Sequence, residues 1–204
     1  MATYRTLVKR CERYALIGHA NRRWYRVARA VIRRLSEDDV PINYELLGAY
    51  RTLCDIVAIT SPRCAVKRNL RFAWAEFTGK PRPDHMIRST RVALEHYYET
   101  GEIRGPKTSR FAKVLRGDDS VVVVDTWMAR ALGVPAGQAR NKSTQELAER
   151  VIAAVAVRRS GRTLGEVWRY AETQAAVWAG MIRTHYDKGK IPLFRAADAL
   201  DVPF

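Results

Sequence analysis

Apolar residues return every three or four positions along almost the whole chain, and Gly or Pro interrupts that rhythm at intervals of about a helix length. A chain patterned this way predicts packed helices. Two helices are expected between Thr3 and Leu35, the second with Trp24, Val27, Ala28, Val31, Ile32 and Leu35 on one side. Another follows Pro41 and Asn43, with Leu46, Tyr50, Leu53 and Val57 in register, and stops at Thr60-Ser61-Pro62. Ser61 is placed to cap a helix from about Cys64 to Thr78, which ends at Gly79 and Pro81. A helix from about His85 closes on Gly101, and the next starts at Pro106, where a missing N–H costs nothing. After Gly117-Asp118-Asp119, which reads as a turn, Val121 to Val124 form an apolar stretch too short to found a sheet, and it is expected to be a buried connector. A brief helix over 126–132, a loop over 134–143, a helix from Thr144 to Val157 and a longest helix over 163–186 complete the chain. The last helix carries Leu164, Val167, Trp168, Ala171, Ala175, Trp178 and Ile182 as its stripe, the natural partner for the N-terminal helices. The expected fold is all-α, with nine or ten helices in two lobes around a cleft. It is read as one domain over 1–204, with residues 134–143 as the best internal boundary.

Charge narrows the partner. Lys and Arg number 36 against 21 Asp and Glu, a formal +15 with a pI near 10.2. A surface this positive favours a polyanion. Ten of the basic residues and one acid lie in residues 1–34, so the first helices are expected to pair a basic outer face with an apolar inner one. Cys11, Cys54 and Cys64 are odd in number and have no CxxC spacing, which argues against a disulfide framework or a zinc site; they are expected to be reduced, buried thiols. His19, His85, His96 and His185 have no metal-type spacing either. The longest wholly apolar run, Val151 to Val157, is too short to span a bilayer, and Arg5, Lys9, Arg10 and Arg13 break any signal-like segment. The expectation is a soluble, cytoplasmic, monomeric protein with no metal or organic cofactor and no membrane partner.

The stretch richest in chemistry is Gly105-Pro106-Lys107-Thr108, followed after one helix by Val121 to Val124, Asp125, Thr126 and Trp127. A tight turn between helices exposes backbone N–H groups at the start of the second helix, which can hold a phosphate regardless of base sequence. Lys107 falls on that helix's first turn. The valine run returns the chain through the interior and delivers Asp125 to the start of a new helix, at the positive end of its dipole. Asp125 is also a good N-cap there whatever else it does. A lysine and a carboxylate are thereby expected to converge on one pocket.

These residues resemble the helix-hairpin-helix DNA glycosylase superfamily, the endonuclease-III-like and oxoguanine-type enzymes. The family hairpin reads roughly LPGVGxKTA, with VD(T/V)H about eighteen residues beyond its lysine. Here the hairpin runs from Gly101 to Thr108 within a motif over about 87–116, and Asp125 lies 18 positions after Lys107. Upstream, Ala58-Ile59-Thr60-Ser61-Pro62-Arg63 is similar to the LSAQ-type segment whose polar residue fills the space left by a flipped base, which implies that role for Arg63. The resemblance extends over residues 43–180, with its diagnostic part about 30 residues long. Ile103 stands where the hairpin has its first glycine, Trp127 replaces the histidine after the aspartate, and the four-cysteine iron-sulfur loop is absent. The chain therefore resembles a distant or specialised member, and short basic proteins of this kind occur in bacteriophages, which would place it in a bacterial host's cytoplasm.

The resemblance implies a protein that binds double-stranded DNA, flips a nucleotide and acts as a glycosylase, with or without AP lyase activity, on a modified or damaged base. It assigns catalysis to Lys107 and Asp125. DNA contacts fall to Arg63, Lys67, Arg68, Arg104, Gly105, Thr108 and Arg110, with Arg71 in the same basic helical patch as Lys67 and Arg68. Trp127, Tyr97 and Trp178 are candidates for stacking on a base, though each also reads as a core residue. Two alternatives keep the fold: a transferase that adds an amino nucleophile to activated thymine in viral DNA, and a DNA-binding protein with no catalysis.

Overall fold

A computed structural model describes residues 3–38, 46–81, 86–161 and 166–185. These form α1 (Tyr4–Ile17), α2 (Trp24–Asp38), α3 (Leu46–Thr60), α4 (Val66–Phe77), α5 (Arg88–Thr100), α6 (Pro106–Leu115), α7 (Thr126–Ala131), α8 (Lys142–Ser160) and α9 (Tyr170–His185), with single 3-10 turns at His19–Asn21 and Ala136–Gln138. Among the described residues there is no strand, so the protein is all-α. Val122, Val123 and Val124 are buried in an extended connector, as their unbroken apolar run demands.

The chain divides into two compact units. One contains described residues 3–25, 118–161 and 166–185; the other contains described residues within 26–117. The division passes through the first turn of α2 and just before Asp118, and residues 134–143, expected to be the boundary, lie wholly inside the first unit.

In the first unit α1 packs on α9 and α8, and α9 also receives α7. Leu7, Val8, Cys11, Tyr14 and Ala15 of α1 join Met128, Val151, Ile152, Val155, Ala176 and Val177 in one apolar core. The α1–α9 crossing is close because glycine faces backbone on both sides. A Cβ on Gly18 would lie 2.0 Å from the Ala176 carbonyl oxygen, and one on Gly180 would lie 1.9 Å from that of Tyr14. In the second unit α3 is the central element, packed on α4, α5 and α6. Leu53, Ile56, Val57, Leu70, Phe72, Trp74, Leu94, Phe111 and Leu115 are buried there.

Several local expectations change. The helix expected over 163–186 starts only at Tyr170, and the longest described helix is α8, with 19 residues. Trp168 is buried, its N–H donating to Ser160 Oγ at 2.8 Å, and the Arg169 N–H meets Glu172 Oε2 at 3.4 Å. Residues 166–169 therefore wrap Trp168 into the core before the helix begins. Leu164 lies outside the described residues, and Val167 is exposed instead of buried. Ser61 does not cap α4: its hydroxyl donates back to the Ala58 carbonyl, and Ala65 holds the cap position without a side-chain bond. The α5 helix begins at Arg88, and His85 lies outside the described residues. Cys11 and Cys54 are buried free thiols, whereas Cys64 is only half-buried.

Candidate functional site

At the hairpin expected around Gly101–Thr108, a five-residue turn joins α5 to α6. Gly101 ends α5 in the left-handed region, φ 72°, with its N–H donating to the Tyr97 carbonyl at 2.8 Å. Gly105 precedes α6 at φ 87° and ψ 137°, a conformation that side-chain-bearing residues avoid. Pro106 opens α6, and the first intrahelical bond runs from the Ser109 N–H to the Gly105 carbonyl at 3.0 Å. No side chain caps this end, so the Lys107 and Thr108 N–H groups have no intrahelical acceptor. Gly101, Glu102, Arg104, Gly105 and Pro106 are exposed, and a Cβ at either glycine would meet nothing within 4 Å. The turn is thus an open cradle of N–H groups at a helix start, with Arg104 beside it. Lys107, Thr108 and Arg110 are half-buried along α6, and Glu102 is the one acid in the turn. Ile103 does not prevent the turn from closing, because the left-handed conformations fall on Gly101 and Gly105.

Beneath the hairpin lies a polar node that the sequence did not disclose. Asp55, on the otherwise apolar α3, is only 3% exposed. Its Oδ2 pairs with the Arg116 guanidinium at the end of α6 and accepts the Tyr97 hydroxyl at 3.0 Å. Burial pushes the Asp55 carboxyl above its usual range, against the opposing pull of Arg116 and Tyr97. The Tyr50 hydroxyl adds a 2.7 Å bond to the Leu115 carbonyl. Both arms of the hairpin are therefore fastened to α3. Tyr97, a stacking candidate, has its hydroxyl committed to this node. A single Asp in the run Leu53-Cys54-Asp55-Ile56-Val57 was the signal available.

The α3–α4 turn is held by a second buried pair. Thr60 Oγ1 lies 2.5 Å from Asn69 Oδ1, while Asn69 Nδ2 donates to the Val57 carbonyl at 3.1 Å. On this clamp Arg63 is exposed at φ 55°, the one non-glycine residue among those described with positive φ. Such a conformation costs about 1–2 kcal/mol for a residue with a Cβ. Lys67, Arg68 and Arg71 are exposed on α4 beyond it. The structure thus gathers Arg63, Lys67 and Arg68 on one turn and helix, and Arg104, Gly105, Lys107, Thr108 and Arg110 on the hairpin.

Asp125 belongs to the other unit, where it caps α7. Its Oδ1 accepts the Met128 N–H at 2.8 Å, and its Oδ2 accepts the Trp178 indole N–H at 3.1 Å. The carboxylate is half-buried at the positive end of the helix dipole. Trp178 has thereby acquired a positioning contact invisible in the sequence, since 53 residues separate the pair. Trp127 is half-buried, with the Arg130 guanidinium 4.6 Å from its ring centroid. The nearby acids Asp118 and Asp119 are structural: Asp118 Oδ1 accepts from Ser120, and Asp119 pairs with Arg169 at 2.7 Å. Among the described residues, no cluster of His, Cys, Asp and Glu could hold a metal ion, and no helix is long and apolar enough to cross a membrane.

No curated protein and no solved structure matches the sequence. Residues 14–185, most of the chain, match the model of DUF7178, a family of unknown function, and the protein belongs to that family.

Proposed function

We propose that this protein binds double-stranded DNA through the α5–α6 hairpin and the α3–α4 turn, and breaks the glycosidic bond of a nucleotide turned out of the stack. The observation that carries the reading is the hairpin: two glycines at positive φ, an uncapped helix start and open space in front of it. This is what a sequence-independent phosphate contact requires. Arg63, in a strained exposed conformation on a rigid turn, is the residue suited to enter the duplex. In an excision-only form of the reaction Asp125 stabilises positive charge developing on the sugar as water replaces the base. In a lyase form Lys107 Nζ attacks C1′ as the bond from C1′ to the base nitrogen breaks, and the base leaves with a proton. Opening of the sugar ring gives a Schiff base, from which β-elimination cleaves the strand. The protein works as a cytoplasmic monomer in this reading, without metal or organic cofactor.

The test is borohydride trapping on duplex DNA containing an abasic site. A covalent adduct that disappears in Lys107→Ala supports the lyase mechanism. Base release from oligonucleotides carrying uracil, hydroxymethyluracil, oxoguanine or alkylated bases, without an adduct, leaves Asp125 as the residue responsible for excision. Mass spectrometry of the same nucleosides detects transfer, as a side group gained instead of a base lost. A second reading, DNA binding without catalysis, is favoured by one observation: both Asp125 oxygens already serve structural partners. It requires that Asp125→Asn leave every measurable property of the protein on DNA unchanged.

A further inference from the structure

The charge on α1 is arranged against the helix's own stability. Arg5, Lys9 and Arg13 follow one another at intervals of four residues, so they form a single stripe about 12 Å long. All three are exposed, on the side opposite the buried Leu7, Val8, Cys11 and Ala15. Like charges four residues apart repel, and a cation in the first turn opposes the helix dipole. The α1 helix has no acid in its first turn and no base in its last, the reverse of what the dipole favours. Its one acid, Glu12, is buried, with Oε2 3.5 Å from Arg158. Among the described residues the Arg5 and Lys9 side chains have no ion pair or hydrogen bond, and the contact of the Arg13 side chain is with the ring of Tyr14, 5.9 Å away. The repulsion along this exposed face is relieved wherever it meets a polyanion.

We infer that the Arg5–Lys9–Arg13 face of α1 is a second DNA-contact surface, engaging the phosphates of a duplex independently of the hairpin. Duplex DNA presents a charge every ~1.7 Å along its axis, so three cations over this length each find a phosphate without a fixed register. A lipid surface fits less well, because an interfacial helix inserts its apolar face, and that face of α1 is occupied by the core. The inference shares the DNA partner of the proposed function but needs none of its chemistry.

The experiment is a salt titration of binding to a short labelled duplex of unmodified sequence, followed by fluorescence anisotropy, with the full chain. The triple variant Arg5→Gln/Lys9→Gln/Arg13→Gln should bind at least tenfold more weakly (~10-fold at moderate salt) and lose about 2 to 3 from the slope of log K against log salt. The variant Arg140→Gln/Lys142→Gln, which removes exposed charge elsewhere in the same unit, should keep the wild-type slope. The triple variant should also melt higher than wild type, because the repulsion within α1 is gone. Weaker DNA binding in a more stable protein cannot come from misfolding. An unchanged slope in the triple variant, an equal loss in the control, or wild-type binding to phosphatidylserine vesicles but not to duplex would each overturn the inference. Excision lost in Asp125→Asn, with the wild-type slope retained, separates the chemistry from this surface.

Discussion

Asp125 and Asp55 show how differently two carboxylates are used in one chain. Asp125 sits at a helix start, where any acid is favourable, so its capping role is separable from chemistry by choice of substitution. Asp125→Asn keeps the acceptor for the Met128 N–H but turns an amide N–H toward the Trp178 indole N–H, so it should cost about 1 kcal/mol in a urea melt, and Asp125→Ala, which removes both acceptors, about 2 kcal/mol. If the carboxylate is catalytic, both variants lose base release equally. Asp55 is the reverse case. Its carboxyl is raised from 3.8 by burial, so the folded protein holds that proton more tightly than the unfolded chain. Its contribution to stability is present below the ordinary value and is lost as pH rises through the raised one. Asp55→Asn, neutral throughout, should therefore gain on wild type in melts run from about pH 4 towards neutrality. Arg116→Met should cost about 2–3 kcal/mol at neutral pH, where it strands an ionised Asp55, and less in acid. A wild type and an Asp55→Asn variant with parallel pH profiles would refute this account.

At the scale of elements, the turns were legible and the crossings were not. Gly101 and Gly105 announce themselves in sequence because each bounds a helical pattern beside a residue type that fits only there, and the structure gives both a positive φ. Gly105→Ala should cost about 1–3 kcal/mol through backbone strain alone, since nothing stands in the way of the new methyl group. If this turn holds DNA as proposed, duplex affinity should fall with it, because the cradle loses its shape. Gly18 and Gly180 carry no such signal: each is a small residue in or after a helix, and their meeting depends on where α1 crosses α9. Gly180→Ala should cost about 3 kcal/mol, because the added carbon meets the fixed backbone of Tyr14, and circular dichroism melts would show it. The start of α9 at Tyr170 departs from the helical spacing for a related reason. Helical spacing continues through 163–169 in the sequence, but Trp168 gains more by burial in the core than by helix formation there.

For the molecule as a whole, the surplus of basic side chains predicts polyanion binding whose affinity falls steeply with salt, and the sites of contact decide how steeply. The thiols give a global check on packing. Burial pushes Cys11 and Cys54 up to about 12, and it raises Cys64 less because that residue is only half-buried. A native protein treated with a thiol reagent should therefore label at Cys64 first, and at the other two only on unfolding. Equal labelling of all three in the native state would contradict the fold. The sequence alone determined the helical class, the glycine turn between α5 and α6, the cap at Asp125 and the sign of the charge, because each rests on composition or on interactions between residues close along the chain. Only the tertiary structure decided the Asp55–Arg116–Tyr97 node, the Trp178 bond to Asp125, the strained Arg63 and the glycine crossing. Those depend on which surfaces meet across long separations, and local periodicity contains no record of that choice.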